Sequence, residues 1–221
     1  MSRLVDLSHT IRSGMITFKG LPGPVICDYL TREASRGSYT EGTEFQIGRI
    51  DMVSNTGTYV DCPFHRYADG KDLSETGIER FVGLPAVVVR VDHRERIEIG
   101  RGDFERVDVS RKAVLVHTGW ADHWGTERYL TEHPFLTREA AVYLRDAGAL
   151  LVGIDSHNID DTRTRNSRPV HTVLLRDEVL IVEHLRGLEL LPDGDFLFSA
   201  VPPKVKGMGT FPVRAFAQIR G

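Results

Sequence analysis

Runs of β-branched and aliphatic residues recur along the chain, separated by polar stretches that contain glycine. Short, continuous apolar runs of this kind are typical of strands that are buried on both faces of a sheet. The clearest runs predict strands over Leu84–Val91, Ala113–His117, Ala149–Ile154, Val179–Val182, Asp195–Val201 and Val213–Ile219. The last of these alternates apolar and polar residues, which indicates a strand with one face on the core.

One segment has the period of a helix instead. Apolar residues between Ala140 and Ala147 recur every three or four positions, which places them on one helix face. Thr137 is a favourable N-cap, and Gly148 follows the end, so we predict a helix over Thr137–Ala147. Because predicted strands outnumber helices, we expect an α/β fold dominated by a mixed sheet, with residues 1–221 forming one domain.

Composition narrows the classes of function. The chain has 28 Lys and Arg against 31 Asp and Glu, a formal charge of -3, without the basic excess of nucleic-acid-binding proteins. No apolar run approaches the roughly 18 residues that a membrane span needs. Two cysteines make no disulfide framework and the first residues lack an apolar signal segment, which favours the cytoplasm. We therefore expect a small-molecule substrate as partner, with neither nucleic acid nor membrane.

Candidate chemistry is concentrated in the polar segment from Ser54 to His65. Asp61 and His65 are four residues apart in it, beside a glycine and a proline that predict an irregular backbone path. A carboxylate with an imidazole suits a divalent metal or an oriented general base. A second pair, His171 and Glu183, brackets a stretch that we interpret as strand-like. Spacing alone does not show that the two pairs meet.

The same segment resembles the signature His-x-Gly-Thr-His-x-Asp-x-Pro-x-His of the metal-dependent cyclase and amidohydrolase family that includes bacterial kynurenine formamidase. Five of its seven fixed positions match, at Gly57, Thr58, Asp61, Pro63 and His65. The similarity extends through nearly the whole chain. It implies a swivelling β/β/α fold and assembly as a homodimer or homotetramer.

Two histidines of the signature are replaced in this chain. Asn55 and Tyr59 stand where the family has the imidazoles that bind its first metal. An amide oxygen and a phenol are poorer zinc ligands than imidazoles. We therefore interpret both residues as catalytic, with Tyr59, a hydrogen-bond donor, or Asn55 stabilising a tetrahedral oxyanion. The carbonyl of Asn55 is alternatively a ligand for a harder ion such as Mg²⁺, Mn²⁺ or Ca²⁺.

The resemblance assigns the remaining roles. It implies that Asp61, His171 and Glu183 form the second metal position and that His65 is the general acid and base. It also implies that Phe18 is a substrate-binding aromatic wall. With two imidazoles missing, the chain is expected to bind one divalent ion, Zn²⁺, Mn²⁺ or Mg²⁺, rather than two, or to bind none.

Three hypotheses follow for the function. In the first, a metal-activated water, with His65 as base, hydrolyses a C–N or C–O bond in a small cyclic or aryl substrate. In the second, no metal takes part, and His65 oriented by Asp61 catalyses a cyclisation, a dehydration or a lactone opening. In the third, the chain is a catalytically inert ligand-binding relative. The retained polar residues favour an enzyme.

Cys62 is expected to face away from Asp61, because alternate residues of an extended segment point to opposite sides.

Overall fold

The computed structural model, which describes residues 2–163 and 167–219, is organised around one nine-stranded sheet. In chain order the strands are β1 (Arg3–Asp6), β2 (Val25–Leu30), β3 (Ile47–Asp51), β4 (Tyr59–Asp61), β5 (Leu84–Arg90), β6 (Glu98–Ile99), β7 (Ala113–His117), β8 (Phe135–Leu136), β9 (Leu151–Ile154), β10 (Leu180–Glu183), β11 (Phe196–Ser199), β12 (Thr210–Pro212) and β13 (Phe216–Ile219). The α-helices of these ranges are α1 (Arg32–Ser35), α2 (Arg138–Asp146) and α3 (Pro169–Arg176).

The large sheet has the order β1-β13-β11-β5-β7-β9-β10-β4-β12, while β2 pairs with β3 and β6 with β8. Its central strands β5, β7, β9 and β10 are parallel, and the other neighbours are antiparallel. Parallel neighbours need a crossover connection. Accordingly, α2 lies between β7 and β9 in the chain, and α3 lies between β9 and β10.

The core lies on both faces of the sheet because successive strand residues point in opposite directions. In β7, Ala113 and Leu115 belong to one hydrophobic cluster, and Val114 and Val116 belong to the other. The buried apolar residues of α2 and α3 join the second cluster. That face, covered by the two helices, is called the helix face below.

Most predicted elements are confirmed, and the α/β fold dominated by a mixed sheet is confirmed with them. The predicted strands correspond to β5, β7, β9, β10, β11 and β13, with β7 matching at both ends. The predicted helix is α2, whose cap Thr137 accepts a hydrogen bond from the backbone N–H of Ala140 at 3.3 Å. No helix within the described ranges has the length and apolarity to cross a membrane.

The prediction of a strand-like stretch from His171 to Glu183 is wrong at its start. His171 lies in helix α3, and only the end of the stretch forms strand β10. The carboxylate of Asp160 caps this helix by accepting from the backbone N–H groups of Val170 and His171, at 2.7 and 3.0 Å. Carboxylates stabilise helix N-termini. Because this cap comes from outside the segment, the local hydrophobic pattern does not reveal it.

Strand β4 runs between β10 and β12 and determines which residues meet at this side of the sheet. Asp61 is in register with Ile181 of β10 and Thr210 of β12. Val60 belongs to the cluster on the face away from the helices, so Tyr59 and Asp61 point to the helix face. The register therefore places two site side chains on the same face as α3.

Candidate active site

A cavity of about 640 Å³ lies on the helix face, beside strands β4 and β10. Six of the seven residues predicted for the site line it: Phe18, Asn55, Tyr59, His65, His171 and Glu183. The seventh, Asp61, is fully buried and lies within 4 Å of both His65 and His171. The structure therefore brings all the predicted residues to one place, although they come from distant parts of the chain.

The imidazole of His171 is held by carboxylates on both sides. Its Nδ1 lies 2.6 Å from Asp160 Oδ2, and its Nε2 lies 3.6 Å from Asp61 Oδ2 and 3.7 Å from Glu183 Oε1. Burial acts to lower the pKa of His171, but the hydrogen bond to Asp160 and the adjacent carboxylates outweigh it and raise the pKa to about 10. In this arrangement Nδ1–H donates to Asp160, and Nε2 is directed at the other two carboxylates.

Glu183 ends strand β10, and each of its oxygens accepts a hydrogen bond. Oε1 accepts from the backbone N–H of Ile159 at 2.7 Å. Oε2 accepts from the hydroxyl of Tyr59 at 2.5 Å and from the amide of Asn158 at 3.3 Å. Burial, together with the charge of Asp61, raises the pKa of Glu183 to about 7 against the opposing effect of His171.

Tyr59 is a hydrogen-bond donor, as the sequence predicts, but its partner in the structure is Glu183. Burial and the neighbouring carboxylates Glu183 and Asp61 raise the pKa of Tyr59 well above its ordinary value, so the phenol keeps its proton. Asn55 lines the same cavity, and its side-chain oxygen accepts from the hydroxyl of Ser54 at 3.2 Å. Both replacements thus add neutral groups to the wall of the site.

Asp61 and His65 are linked through a residue that lies outside the signature segment. Thr210 Oγ1 is hydrogen-bonded to Asp61 Oδ1 and lies 2.8 Å from His65 Nδ1. Burial acts to raise the pKa of Asp61, but the charges of His65 and His171 and the hydrogen bonds to this carboxylate lower it overall, so Asp61 is ionised. His65 itself lies in a short 3₁₀ turn, Pro63–His65, with about a third of its side chain exposed.

The donor set fits one divalent ion. Ligand atoms of Asp61, His65 and His171 lie within 4.8 Å of one another. Asp61 Oδ2 is buried without a hydrogen-bond partner in the part of the chain that the structure describes, and it faces His171 Nε2. Mixed carboxylate and imidazole ligands suit zinc and manganese. A carboxylate on the far nitrogen of a histidine, as Asp160 is for His171, is typical of metal ligands.

In the structure the predicted base, His65, lies among the residues that are close enough together to hold a metal ion. Glu183 contacts His171 but is occupied by three hydrogen bonds, and His65, predicted as the base, lies close enough to act as a ligand. Asp61 and His171 belong both to the predicted ligands and to the group of ligand atoms that lie close together in the structure. The choice of Glu183 as the third ligand, with His65 as the base, therefore stays a prediction.

Two further predictions concern side chains around the cavity. Phe18 lines it and stacks on the ring of His157, with centroids 4.6 Å apart, and its contact with a substrate stays a prediction. Cys62 is fully buried in the hydrophobic cluster on the opposite face from Asp61, as predicted. Burial raises the pKa of the Cys62 thiol to about 11, so it is not a nucleophile of this site.

Three residues of the site were missed by the sequence interpretation: Asn158, Asp160 and Thr210. The first two lie in a polar run that follows the predicted strand at Ala149–Ile154, a place where α/β sheets often carry ligand-binding loops. That run was a signal, although an ordinary polar loop explains it equally well. Thr210 had no local signal, because its partners are 149 and 145 residues away.

Comparison with known proteins shows the family and the fold. Residues 5–161 match the family model Cyclase, described as "Putative cyclase". A kynurenine formamidase of Geobacillus thermodenitrificans is 30% identical over 218 residues, which covers 97% of each chain. A solved structure described as a potential metal-dependent hydrolase with cyclase activity has a TM-score of 0.81 and 26% identity, over 100% of both chains. Isatin hydrolase A from Labrenzia aggregata has a TM-score of 0.84 and 22% identity, over 100% of this chain and 94% of that chain, which shows a shared fold.

Gly209 provides a test of how the turn with His65 is held. A Cβ at Gly209 would overlap the backbone N and Cα of His65 and lie 2.8 Å from the carbonyl carbon of Phe64. We expect Gly209→Ala to displace the turn, to lower the free energy of unfolding by about 1–3 kcal/mol in urea titrations, and to reduce turnover. Gly102→Ala is the matched control, because its Cβ would meet no atom within 4 Å. Equal stability of the two variants would contradict this close packing.

Proposed function

The chain belongs to the Cyclase family, and from this we propose that it hydrolyses an amide bond in a small aryl or cyclic substrate. The observation that carries the proposal is the arrangement of His65, Asp61 and His171 at one cavity, where their ligand atoms lie within 4.8 Å of one another and His65 Nδ1 is hydrogen-bonded to Thr210. The kynurenine formamidase relative, similar over nearly its whole length, supports an acyclic aryl amide. The isatin hydrolase fold makes a cyclic amide the second type of substrate to test.

His65 performs the proton transfers in this proposal. Its Nδ1 is occupied by Thr210, so Nε2 is the nitrogen that accepts a proton from the attacking water. The same nitrogen then returns the proton to the leaving amine, which must be protonated to depart. Asn55, with its side-chain amide at the cavity wall, donates to the carbonyl oxygen as negative charge develops there. Tyr59 keeps Glu183 oriented through its short hydrogen bond.

We propose that Asp61, His171 and Glu183 would hold one Zn²⁺, Mn²⁺ or Mg²⁺ ion, which leaves His65 as the base. When bound, such an ion lowers the pKa of a water and polarises the substrate carbonyl. Support comes from the buried Asp61 Oδ2, which has no hydrogen-bond partner among the described residues, and from its separation of 3.6 Å from His171 Nε2. Asp160 supports the same role by fixing the orientation of His171.

A second candidate function uses the same residues without a metal. It is favoured by the hydrogen bond from Tyr59 to Glu183 and by the hydroxyl of Thr210 between Asp61 and His65. In this scheme the oriented imidazole alone catalyses a cyclisation, a dehydration or a lactone opening. The metal content of the purified protein, with the effect of chelation on activity, decides between the two.

The first experiment tests the base with substrates of defined chemistry. We expect the purified chain to hydrolyse the aryl formamide N-formylkynurenine or the cyclic amide isatin, and His65→Ala to lower kcat by about 10²- to 10⁴-fold, since it removes the general base. His117→Ala is the control, because His117 lies in a different cavity, beside Arg90. A wild-type chain inactive on both amides and on lactones would reject the proposal.

The second experiment measures metal by elemental analysis of freshly purified protein. We expect about one divalent ion per chain, loss of activity on chelation, and reduced occupancy in Asp61→Asn and His171→Ala, because each variant removes a ligand. His65→Ala is expected to retain the ion while losing turnover. If it loses the ion as well, His65 is a ligand and not the free base. Full activity after removal of the metal would instead establish the second candidate.

We also propose that the chain forms a homodimer or homotetramer through the antiparallel β2–β3 ribbon. This ribbon exposes large apolar side chains, including Val25 at 57%, Tyr29 at 76% and Ile50 at 57%. Exposed apolar patches of this kind mark interaction surfaces. The family resemblance favours a second copy of this chain as the partner.

The role of the ribbon in assembly can be tested by measuring the mass of the protein with light scattering coupled to size-exclusion chromatography. We expect the double variant Tyr29→Arg with Ile50→Glu to shift the assembly toward a monomer, because two charges would be buried in an apolar contact. Ile78→Glu, at a side chain that is 66% exposed and outside the ribbon, is the control. A monomeric wild type, or an unchanged mass in the double variant, would contradict the proposal.

A cytoplasmic location is the remaining part of the proposal. Cys27 is exposed and Cys62 is buried, and both are free thiols in the structure. Free cysteines are typical of compartments in which glutathione and thioredoxin keep thiols reduced. A thiol count on the protein recovered from cells, with two free thiols expected, checks this.

A further inference from the structure

Thr210 lies between the carboxylate of Asp61 and the imidazole of His65. It is the first residue of strand β12, is 2% exposed, and is in register with Asp61 of β4. Its Oγ1 is hydrogen-bonded to Asp61 Oδ1 and lies 2.8 Å from His65 Nδ1. The direct separation between His65 Nδ1 and Asp61 Oδ1 is 3.9 Å, which is too long for a hydrogen bond. The carboxylate therefore reaches the imidazole through a hydroxyl.

The donor in each hydrogen bond between Asp61, Thr210 and His65 follows from the number of hydrogens that each side chain carries. A hydroxyl has one hydrogen to donate, and an ionised carboxylate can only accept. In the structure Thr210 Oγ1 donates its hydrogen to Asp61 Oδ1. The remaining contact of Oγ1, with His65 Nδ1, then requires the imidazole to be the donor. A neutral His65 must carry its hydrogen on Nδ1, with Nε2 unprotonated.

We propose that Thr210 is a positioning residue that fixes His65 as the Nδ1–H tautomer and so makes Nε2 the base. The kinetic part of this inference rests on the proposed function, whereas the assignment of the tautomer does not. Which nitrogen of a histidine is protonated is set by the hydrogen bond at the other nitrogen, and the wrong tautomer cannot accept the proton.

The surrounding backbone holds Thr210 in this role. Gly209 packs directly against the backbone of His65, and its carbonyl accepts from the N–H of Cys62 at 2.8 Å. The turn that carries His65 is thus fixed against the start of β12. Threonine is branched at Cβ and has few χ1 rotamers, which reduces the freedom of the hydroxyl compared with serine.

Two variants of Thr210 separate the hydroxyl from the shape of the side chain. Thr210→Val keeps the branched shape and removes the hydroxyl, and Thr210→Ser keeps the hydroxyl. The matched control is Thr118→Val, because Thr118 is another buried threonine whose hydroxyl donates to a buried carboxylate, that of Asp155 at 2.6 Å. Urea titration of each variant verifies that it folds.

The first readout is the ¹⁵N NMR spectrum of the imidazoles in the full-length protein, before and after chelator treatment, with His65→Gln used to assign the signals. We expect neutral His65 to be protonated at Nδ1 in the wild type, Thr210→Ser and Thr118→Val, and to lose this preference in Thr210→Val. A wild type protonated at Nε2, or an unchanged tautomer in Thr210→Val, would overturn the proposal. This readout needs no substrate.

The second readout is kinetic, with N-formylkynurenine or isatin as substrate. We expect Thr210→Val to lower kcat by about 10²-fold with KM little changed, and Thr210→Ser to recover most of the loss, as is typical when general base catalysis is impaired. Thr118→Val is expected to turn over normally. An equal loss in Thr118→Val would overturn the specific role of Thr210, whereas an inactive wild type with the Nδ1–H tautomer would reject only the proposed function.

Discussion

The site depends on the pairing of one short strand with two neighbours. Strand β4 has three residues, all buried, and is hydrogen-bonded to β10 on one side and to β12 on the other. Side chains on alternate residues of paired strands share a face, so this register places Tyr59 beside Glu183 and Asp61 beside Thr210. A shift by one residue would turn Asp61 into the apolar cluster on the opposite face, where an unpaired carboxylate is very costly.

Buried charge is the main energetic cost of this arrangement. Asp61, Asp160 and Glu183 are fully buried, and His171 is only 5% exposed. Such groups are tolerated when hydrogen bonds and opposite charges compensate for lost hydration. Asp160 and Glu183 each accept three hydrogen bonds or close polar contacts, whereas Oδ2 of Asp61 accepts none from the described residues. The charge of His171, whose Nε2 lies 3.6 Å away, compensates for this oxygen, and a cation held between the two groups would displace the proton on Nε2.

The two residues that stand in place of histidines lie in the wall of the same cavity. Tyr59 and Asn55 are neutral, and the hydroxyl of Tyr59 is used to hold Glu183. Where the family signature has two imidazoles, this chain has the hydroxyl of Tyr59, which donates to Glu183, and the side-chain amide of Asn55, which accepts from Ser54. The consequence is a cavity wall with fewer imidazole ligands and more neutral hydrogen-bonding groups.

Local sequence determined much of this molecule. The strands β5, β7 and β9 and the helix α2 follow from hydrophobic periodicity and capping, which act between residues a few positions apart. The signature segment identified Asp61 and His65, and its resemblance identified His171 and Glu183. Tertiary structure decided how these residues are used. The helix that carries His171 is capped by Asp160, from the connection between β9 and α3, and the imidazole of His65 contacts Thr210, 145 residues away. The contact of Thr210 depends on the register of β12 with β4, and the cap depends on the path of the connection before α3. No local hydrophobic pattern in the chain specifies either.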